Sequence, residues 1–332
     1  MNESVGKEGM QPIVISNMKR LFRRTETGIF LVLLALCVFM AIYNPAFMSP
    51  FNMGVMLRQF SFIAIVAFGQ TLVLLSGGID LSVGSVAGLC AVIAGWLAVN
   101  LGLPPIVCIA IGLALGFCCG ATSGLIISKM KISPFIVTLA MGEICAGFIL
   151  VVTRGWAITG LPAFMILIGQ ESILYVPIPV WIMCVICIIL AYVLKKVPFG
   201  RYVYALGGNE SAAQLVGIKV AKVKMLVFGL SGMLAALSGI LLMGRLASAQ
   251  PTVGAGWVMP TVTAAIIGGT SLSGGEGGVV GTLIGAALMG VLTSAIVLFG
   301  ISAYWERVII GSVVLAAVAI DRMRAMAHQR RV

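Results

Sequence analysis

The stretch VWIMCVICIILAYVL (180–194) decides the fold class, because its residues carry no charge and no amide group. A membrane barrel strand would alternate apolar and polar residues at every second position, and this stretch does not. It is apolar on every face, as is a helix in lipid. The run GIFLVLLALCVFMAIY (28–43) has the same character. Both stretches predict helical spans, since lipid offers the backbone no hydrogen-bond partners.

The overall composition extends this prediction to the whole chain. Of its 332 residues, 61% are hydrophobic and 9% are charged, with a mean hydropathy of +1.15. A soluble domain is about 45–50% apolar and about 25% charged. We therefore predict an all-α integral membrane protein. The net charge of +11 does not indicate a nucleic-acid partner, because the basic residues lie in short loops between apolar runs.

Polar and turn-rich breaks divide the chain into about ten predicted spans, some of them short or broken, forming a polytopic bundle. The spans are predicted at 28–43, 55–75, 83–99, 105–128, 134–152, 179–194, 223–245, 258–270, 279–299 and 303–320. With the N-terminus inside, 17 of the 21 basic residues fall in inside segments, the others being Arg58, Arg154, Arg245 and Arg307. The positive-inside rule then places both termini in the cytoplasm.

This topology gives one membrane domain without a sizeable soluble part. We expect a cytoplasmic N-terminal segment (1–27), a transmembrane domain (28–321) with a large inside loop at 195–224, and a basic cytoplasmic tail (322–332). The eight cysteines lie in apolar runs without metal-ligand spacing, so they predict packing rather than a metal site.

No residue pattern predicts an enzyme. The letters LSGG, which also begin the signature of ABC-type ATPases, occur at 75–78 and 272–275. Nothing matches the phosphate-binding pattern G-x-x-x-x-G-K-[ST], so we interpret both as close-packing turns. The spans contain no histidine, and Asp80 is their only aspartate. A proton-coupled carrier stays open as an alternative, with Asp80, Glu143 and Glu306 as possible proton carriers.

Asp80 lies in LLSGGIDLSVGSVAG (74–88), where glycine and serine surround the acid. Glycine can end one helix, and Asp80 or Ser82 can cap the next. A structural anchor and a substrate or proton site are both compatible with this pattern. The residues interpreted as helix-break or structural positions are Gly77, Gly78, Asp80, Ser82, Gly274 and Gly275.

The inside loop 195–224 contains GGNESAAQLVGI (207–218), which predicts a short helix after a break at Pro198 and Gly200. Asn209 is a candidate N-cap, and Gly217 is a candidate C-cap. Glu210 falls in the first turn, where the helix dipole favours an acid. The helix is either a solvated connection or a docking element for a cytoplasmic partner.

Four stretches in this order resemble the ribose-type sugar permeases of bacterial ABC importers. They are SGGIDLSVGS (76–85), FGRYVYALGGNESAAQLVGI (199–218), RLASAQPTVGAGW (245–257) and GGTSLSGGEGGVVGTLIGA (268–286). The resemblance extends from about residue 28 to residue 321. It implies a permease subunit of the bacterial inner membrane that imports a monosaccharide, a ribose-like pentose or a hexose, by alternating access.

The resemblance also implies partners. Two permease copies would work over two ATPase subunits that use ATP and Mg²⁺, and a periplasmic binding protein would deliver the sugar. A permease for a nucleoside or a small signalling furanose would share the same motifs. The residues carried over as the ATPase-coupling element are Gly208, Asn209, Glu210, Ala212, Ala213, Leu215 and Gly217.

A hydroxyl-rich solute needs polar partners along its passage, and few polar side chains occur in or beside the spans. The candidates for the substrate pathway are Gln70, Thr71, Ser76, Asn100, Thr261 and Thr263. Helix packing or capping is the alternative role for each of them.

Overall fold

A computed structural model describes residues 25–302 and isolated positions between 305 and 319. These residues form helices, with a single 3₁₀ turn (Pro45–Met48) and a small hairpin of β1 (Ser172–Ile173) and β2 (Val176–Pro177). The helices are α1 (Thr25–Tyr43), α2 (Pro50–Leu75), α3 (Val83–Asn100), α4 (Pro105–Met130), α5 (Pro134–Thr153), α6 (Ala163–Gln170), α7 (Ile178–Lys196), α8 (Pro198–Gly208), α9 (Glu210–Leu215), α10 (Val220–Leu246), α11 (Val258–Ile267) and α12 (Val279–Leu298).

Seven helices of the described part are long and apolar enough to cross a membrane, namely α2, α3, α4, α5, α7, α10 and α12. The prediction of an all-α membrane protein is thereby confirmed, although the predicted count of about ten is not. The first and eighth predicted spans correspond to shorter apolar helices, Gly28–Tyr43 and α11. The tenth, 303–320, lies mostly outside the described residues.

The helix at the eighth predicted span is too short to cross the membrane, because glycines end it early. Helix α11 covers 10 residues, and Gly268 and the left-handed Gly269 (φ +91°) follow it directly. At about 1.5 Å per residue, such a helix spans only half of the roughly 30 Å of the hydrocarbon core. The predicted end at residue 270 is therefore wrong.

The centre of the fold is α10, which packs against α2, α3, α4 and α6. Glycines of α4 at every fourth position face the α10 backbone. A Cβ atom at Gly120 would overlap the Phe228 carbonyl, and one at Gly116 would stand 2.5 Å from the Gly232 carbonyl oxygen. Small residues at this spacing let two helices approach closely in lipid. The 18-residue stretches of α2, α3 and α10 that best fit a membrane span are mostly buried, whereas those of α4, α5 and α7 are only 33%, 28% and 28% buried.

The two longest loops contain helices that the sequence pattern did not predict. Segment 153–178 contains α6 and the β1–β2 hairpin, whose turn residues Leu174 and Tyr175 have positive φ angles. In segment 195–224, α7 ends at Lys196 and Val197 is extended, so the predicted break at Pro198 is confirmed. Gly200 does not break the chain, because it lies inside α8, which begins at Pro198. Proline suits the first helical position, because the N–H group it lacks has no helical partner there.

Candidate functional site

The short helix predicted within 207–218 is present, but it covers only Glu210–Leu215 (α9). Asn209 is extended (φ −160°), and its Oδ1 accepts a hydrogen bond from the Ala212 N–H group at 2.9 Å. The prediction of Asn209 as the N-cap is confirmed. Because Asn209 interrupts the helix, Gly207 and Gly208 belong to the end of α8 and not to α9.

The other end of α9 closes at Gly217, which has a φ of +87°. The N–H group of Gly217 donates to the Gln214 carbonyl at 3.0 Å, and that of Ile218 donates to the Ala213 carbonyl at 3.1 Å. This pattern is typical of a glycine that ends a helix, so the prediction of Gly217 as the C-terminal cap is confirmed. Lys224 of α10 donates to Glu210 at 2.7 Å and ties α9 to the bundle.

Residues 208–217, which we call the coupling segment, lie almost entirely at the surface. Ala213 is the exception, with 4% of its surface exposed. Leu215 is 88% exposed and Val216 is 77% exposed, so two neighbouring apolar side chains project away from the bundle. Exposed apolar side chains next to small residues are suited to contact with another protein.

Three turns meet in space just before the coupling segment. The Gly275 N–H group donates to the Leu75 carbonyl at 3.0 Å, and a Cβ atom at Gly207 would overlap that same carbonyl. A Cβ atom at Gly274 would stand 3.0 Å from the Cα atoms of both Gly77 and Gly207. We call these five residues the glycine junction: Leu75, Gly77, Gly207, Gly274 and Gly275.

The glycine junction confirms that both LSGG stretches are close-packing turns. Gly77, Gly274 and Gly275 all have positive φ angles, of +78°, +85° and +75°. A further bond joins α8 to the same loop, since the Tyr204 hydroxyl donates to the Gly277 carbonyl at 2.8 Å. The sequence interpretation missed Gly207, although it is the first of two glycines before the cap.

Asp80 lies buried between the end of α2 and the start of α3, with 1% of its surface exposed. Its Oδ1 accepts from the Ser82 N–H group at 2.9 Å and from the Ser82 hydroxyl at 2.6 Å. Its Oδ2 accepts from the Ser231 hydroxyl of α10 at 2.9 Å. The Gln70 amide pairs with the Asp80 backbone, donating to its carbonyl at 3.2 Å and accepting from its N–H at 3.3 Å.

These bonds give Asp80 the geometry of an anchor between α2, α3 and α10. Ser82 occupies the N-cap position of α3 but makes no capping bond with its side chain, because its hydroxyl is directed to Asp80. The expectation that Asp80 or Ser82 caps α3 through its side chain is therefore wrong. Gly77 and Gly78 do follow the end of α2, and the Gly78 N–H group donates to the Val73 carbonyl at 3.0 Å.

The six candidate pathway residues do not meet in one place. Five are buried and bond internally, for example Thr71, whose hydroxyl lies 2.6 Å from that of Thr282. Asn100 is exposed at the end of α3 and donates to the Trp96 carbonyl at 3.2 Å. The buried five are Gln70, Thr71, Ser76, Thr261 and Thr263. Their role as substrate contacts stays a prediction.

Two cavities flank the loop 251–257 instead. One, of about 280 Å³, lies between α3, α5 and the loop. The other, of about 250 Å³, lies between α2, α12 and the loop, and it includes Gln59, Phe60, Trp257 and Thr293. None of the six candidates lines either cavity. Within the described ranges, no group of three or more histidine, cysteine or acidic side chains could hold a metal ion.

Comparison with known proteins gives a family for the chain. Residues 52–318 match the family described as branched-chain amino acid transport system / permease component. The ribose import permease protein of Bacillus subtilis is 42% identical over 303 residues, which cover 90% of this chain and 94% of that protein. The ribose import permease protein of Haemophilus influenzae is 43% identical over 300 residues, or 89% and 93% of the two chains.

A fructose import permease protein of Rhizobium meliloti is 36% identical over 302 residues, covering 89% of this chain and 84% of its own length. These matches extend over nearly the whole membrane domain, including α8, α9 and both LSGG turns. The chain is therefore a member of the permease family of ribose-type ABC importers.

Proposed function

We propose that the chain is the membrane-spanning subunit of an importer that moves a monosaccharide, ribose or a similar sugar, into the cytoplasm. The observation that carries this proposal is the 42% identity to a ribose import permease over 90% of the chain. In this proposal, the chain itself forms the passage for the sugar and does not hydrolyse ATP. ATP and Mg²⁺ are used by a separate ATPase subunit, and a periplasmic binding protein delivers the sugar.

The coupling segment is the docking site for the ATPase in this proposal. Its exposed Leu215 and Val216 support this role, since covering two neighbouring apolar side chains favours contact with a partner. Ala212 and Gly208 are small and exposed, so a partner surface can approach the backbone. Two copies of the permease pair over two ATPase subunits.

Movement passes from the ATPase to the spans through the glycine junction. Gly207 contacts the Leu75 carbonyl without an intervening side chain, and Gly275 bonds to the same carbonyl. A displacement of α8 therefore acts directly on the end of α2 and on the loop before α12. This contact supports a mechanism in which ATPase closure tilts these spans and exposes the passage alternately to each side.

The proposed orientation has ten spans, with α1, α11 and the segment 303–320 added to the seven long helices. Residues 1–27 and 322–332 are then cytoplasmic, and the coupling segment lies on the same side. The positions of the basic residues support this arrangement, because all but four lie in the inside segments.

Reconstitution of the permease with its ATPase and binding protein in lipid vesicles tests the proposal. We expect ATP-dependent uptake of ribose, and binding protein loaded with the transported sugar should stimulate ATP hydrolysis. A panel with fructose, a nucleoside and a furanose signalling molecule compares the alternative substrates. Uptake driven by a proton gradient without ATPase would instead indicate a secondary carrier and contradict the proposal.

A further inference from the structure

The 250 Å³ cavity between α2, α12 and Trp257 combines aromatic rings with uncharged polar groups. Phe60 and Trp257 line it together with Gln59 and Thr293. No charged residue lines it. A ring face pairs well with the C–H face of a small polyol, and an amide suits hydroxyl groups as both donor and acceptor.

Two polar groups of this wall have no partner among the described residues. The Gln59 amide and the indole N–H of Trp257 make no hydrogen bond there, although Gln59 is exposed and Trp257 is half-buried. By contrast, the Trp181 indole donates to the Ile173 carbonyl at 3.3 Å. Both groups are therefore free to bond to water or to a polar ligand in the cavity.

In the proposed orientation, the cavity lies in the outer half of the membrane. Helix α2 enters from outside, and its cavity residues Gln59, Phe60 and Ile63 lie before or at its midpoint. Helix α12 runs outward, and its residues 289–293 belong to its second half. At the inner end of α2, the glycine junction packs backbone against backbone. The cavity therefore lies on the side from which an importer receives its substrate.

We propose that this cavity is the site within the membrane that first binds the sugar, an inference that rests on the proposed function. The rings of Phe60 and Trp257 pack against the sugar ring, while the Gln59 amide and the Trp257 N–H bond to its hydroxyls. All of these contacts are uncharged, so they hold the sugar weakly. Weak binding allows release toward the cytoplasm once the inner end opens.

The test uses the complete importer in vesicles, with Gln59→Ala and Trp257→Phe as separate variants. The second change keeps an aromatic ring and removes the N–H donor. We measure uptake of radiolabelled D-ribose and binding-protein-stimulated ATP hydrolysis. Each variant should lower ribose uptake by about threefold to tenfold, the effect of losing a neutral hydrogen bond, while stimulated hydrolysis is retained.

Trp181→Phe is the matched control, since it removes an indole N–H outside the cavity, and it should import ribose like the unmodified protein. If Gln59→Ala lowers assembly on gel filtration, Trp257→Phe decides alone. Unchanged uptake in assembled variants, or parallel loss of uptake and hydrolysis, would overturn the binding site. Failure of the unmodified complex to import ribose would instead count against the proposed function.

Discussion

The carbonyl oxygen of Leu75 accepts a hydrogen bond from the N–H group of Gly275 at 3.0 Å, which joins the end of α2 to the loop before α12. Gly207 of α8 packs against the same oxygen. The end of α2, the loop before α12 and the residue just before the coupling segment therefore share one backbone group. This arrangement leaves no room for a side chain at Gly207, and it explains why α8 and the spans are expected to move together.

A methyl group at Gly207 should damage this contact, whereas one at Gly208 should not. A Cβ atom at Gly207 would overlap the Leu75 carbonyl, but a Cβ atom at Gly208 meets nothing within 4 Å. Gly207→Ala should therefore lower the free energy of unfolding by about 1–3 kcal/mol, the range for overpacking. Thermal unfolding in detergent is the measurement. Gly208→Ala is the matched control. Equal stability of the two variants would contradict the glycine junction.

A bulky side chain at Gly208 together with reversed charge at Glu210 should uncouple the importer. Gly208→Trp occupies open space, and Glu210→Lys removes one ion pair in which Glu210 is 51% exposed, so the variant should insert and fold. We expect loss of ribose uptake while the ATPase still hydrolyses ATP. The measurement is uptake and hydrolysis in the same vesicles. Normal uptake in this double variant would exclude the coupling segment as the docking site.

Asp80→Asn should be tolerated better than Asp80→Ala. Asparagine keeps an acceptor for the Ser82 N–H group, and the Ser231 hydroxyl can rotate to accept from its amide. Alanine leaves buried donors of Ser82 and Ser231 unpaired, at about 1–3 kcal/mol for each group. Thermal unfolding in detergent and ribose uptake by the assembled complex are the measurements.

The asparagine variant also separates the two roles open for Asp80. An anchor predicts a modest loss of stability with transport retained. If Asp80→Asn abolishes uptake in a normally assembled complex, a proton or substrate role replaces the anchor. Ser231→Ala serves as a control, because it removes one bond of Asp80 and leaves the acid in place.

Gly120→Leu should weaken the α4–α10 contact strongly. A Cβ atom at Gly120 would overlap the Phe228 carbonyl, and the whole leucine side chain would separate two helices that touch through their backbones. We expect most of the folded protein to be lost, as measured by the yield of the folded peak on size-exclusion chromatography. Gly147→Leu on exposed α5 is the control, since nothing lies within 4 Å of a Cβ atom there. Similar yields for both variants would contradict the contact.

The sequence predicted those features that depend on neighbouring residues. Asn209 as a cap and Gly217 as a helix end follow from local hydrogen bonding, and both are confirmed. The apolar run at 180–194 predicted a helix, because a helix in lipid forms all of its backbone hydrogen bonds within its own segment. The class of fold and the presence of α9 were therefore accessible from the sequence.

What the sequence could not predict depends on distant segments. Gly207 meets Leu75 and Gly275 only after folding, and the bond from Ser231 to Asp80 joins residues 151 positions apart. The candidate pathway residues were predicted from their polar side chains alone, and in the structure most of them are buried and bond to internal partners. Gln59 and Trp257 were not predicted, because three separate elements form the cavity. No single element carries a recognisable sequence pattern.

The contrast between the two adjacent glycines also bears on how this sequence can change over evolutionary time. At Gly207, the obstacle is backbone, so no second substitution elsewhere can make room for a side chain. At Gly208, nothing in the described chain opposes one. In the proposed function, the ATPase is the neighbour that would keep position 208 small. The tolerance of Gly208 to substitution, compared with and without the proposed ATPase, therefore tests whether a partner covers this position.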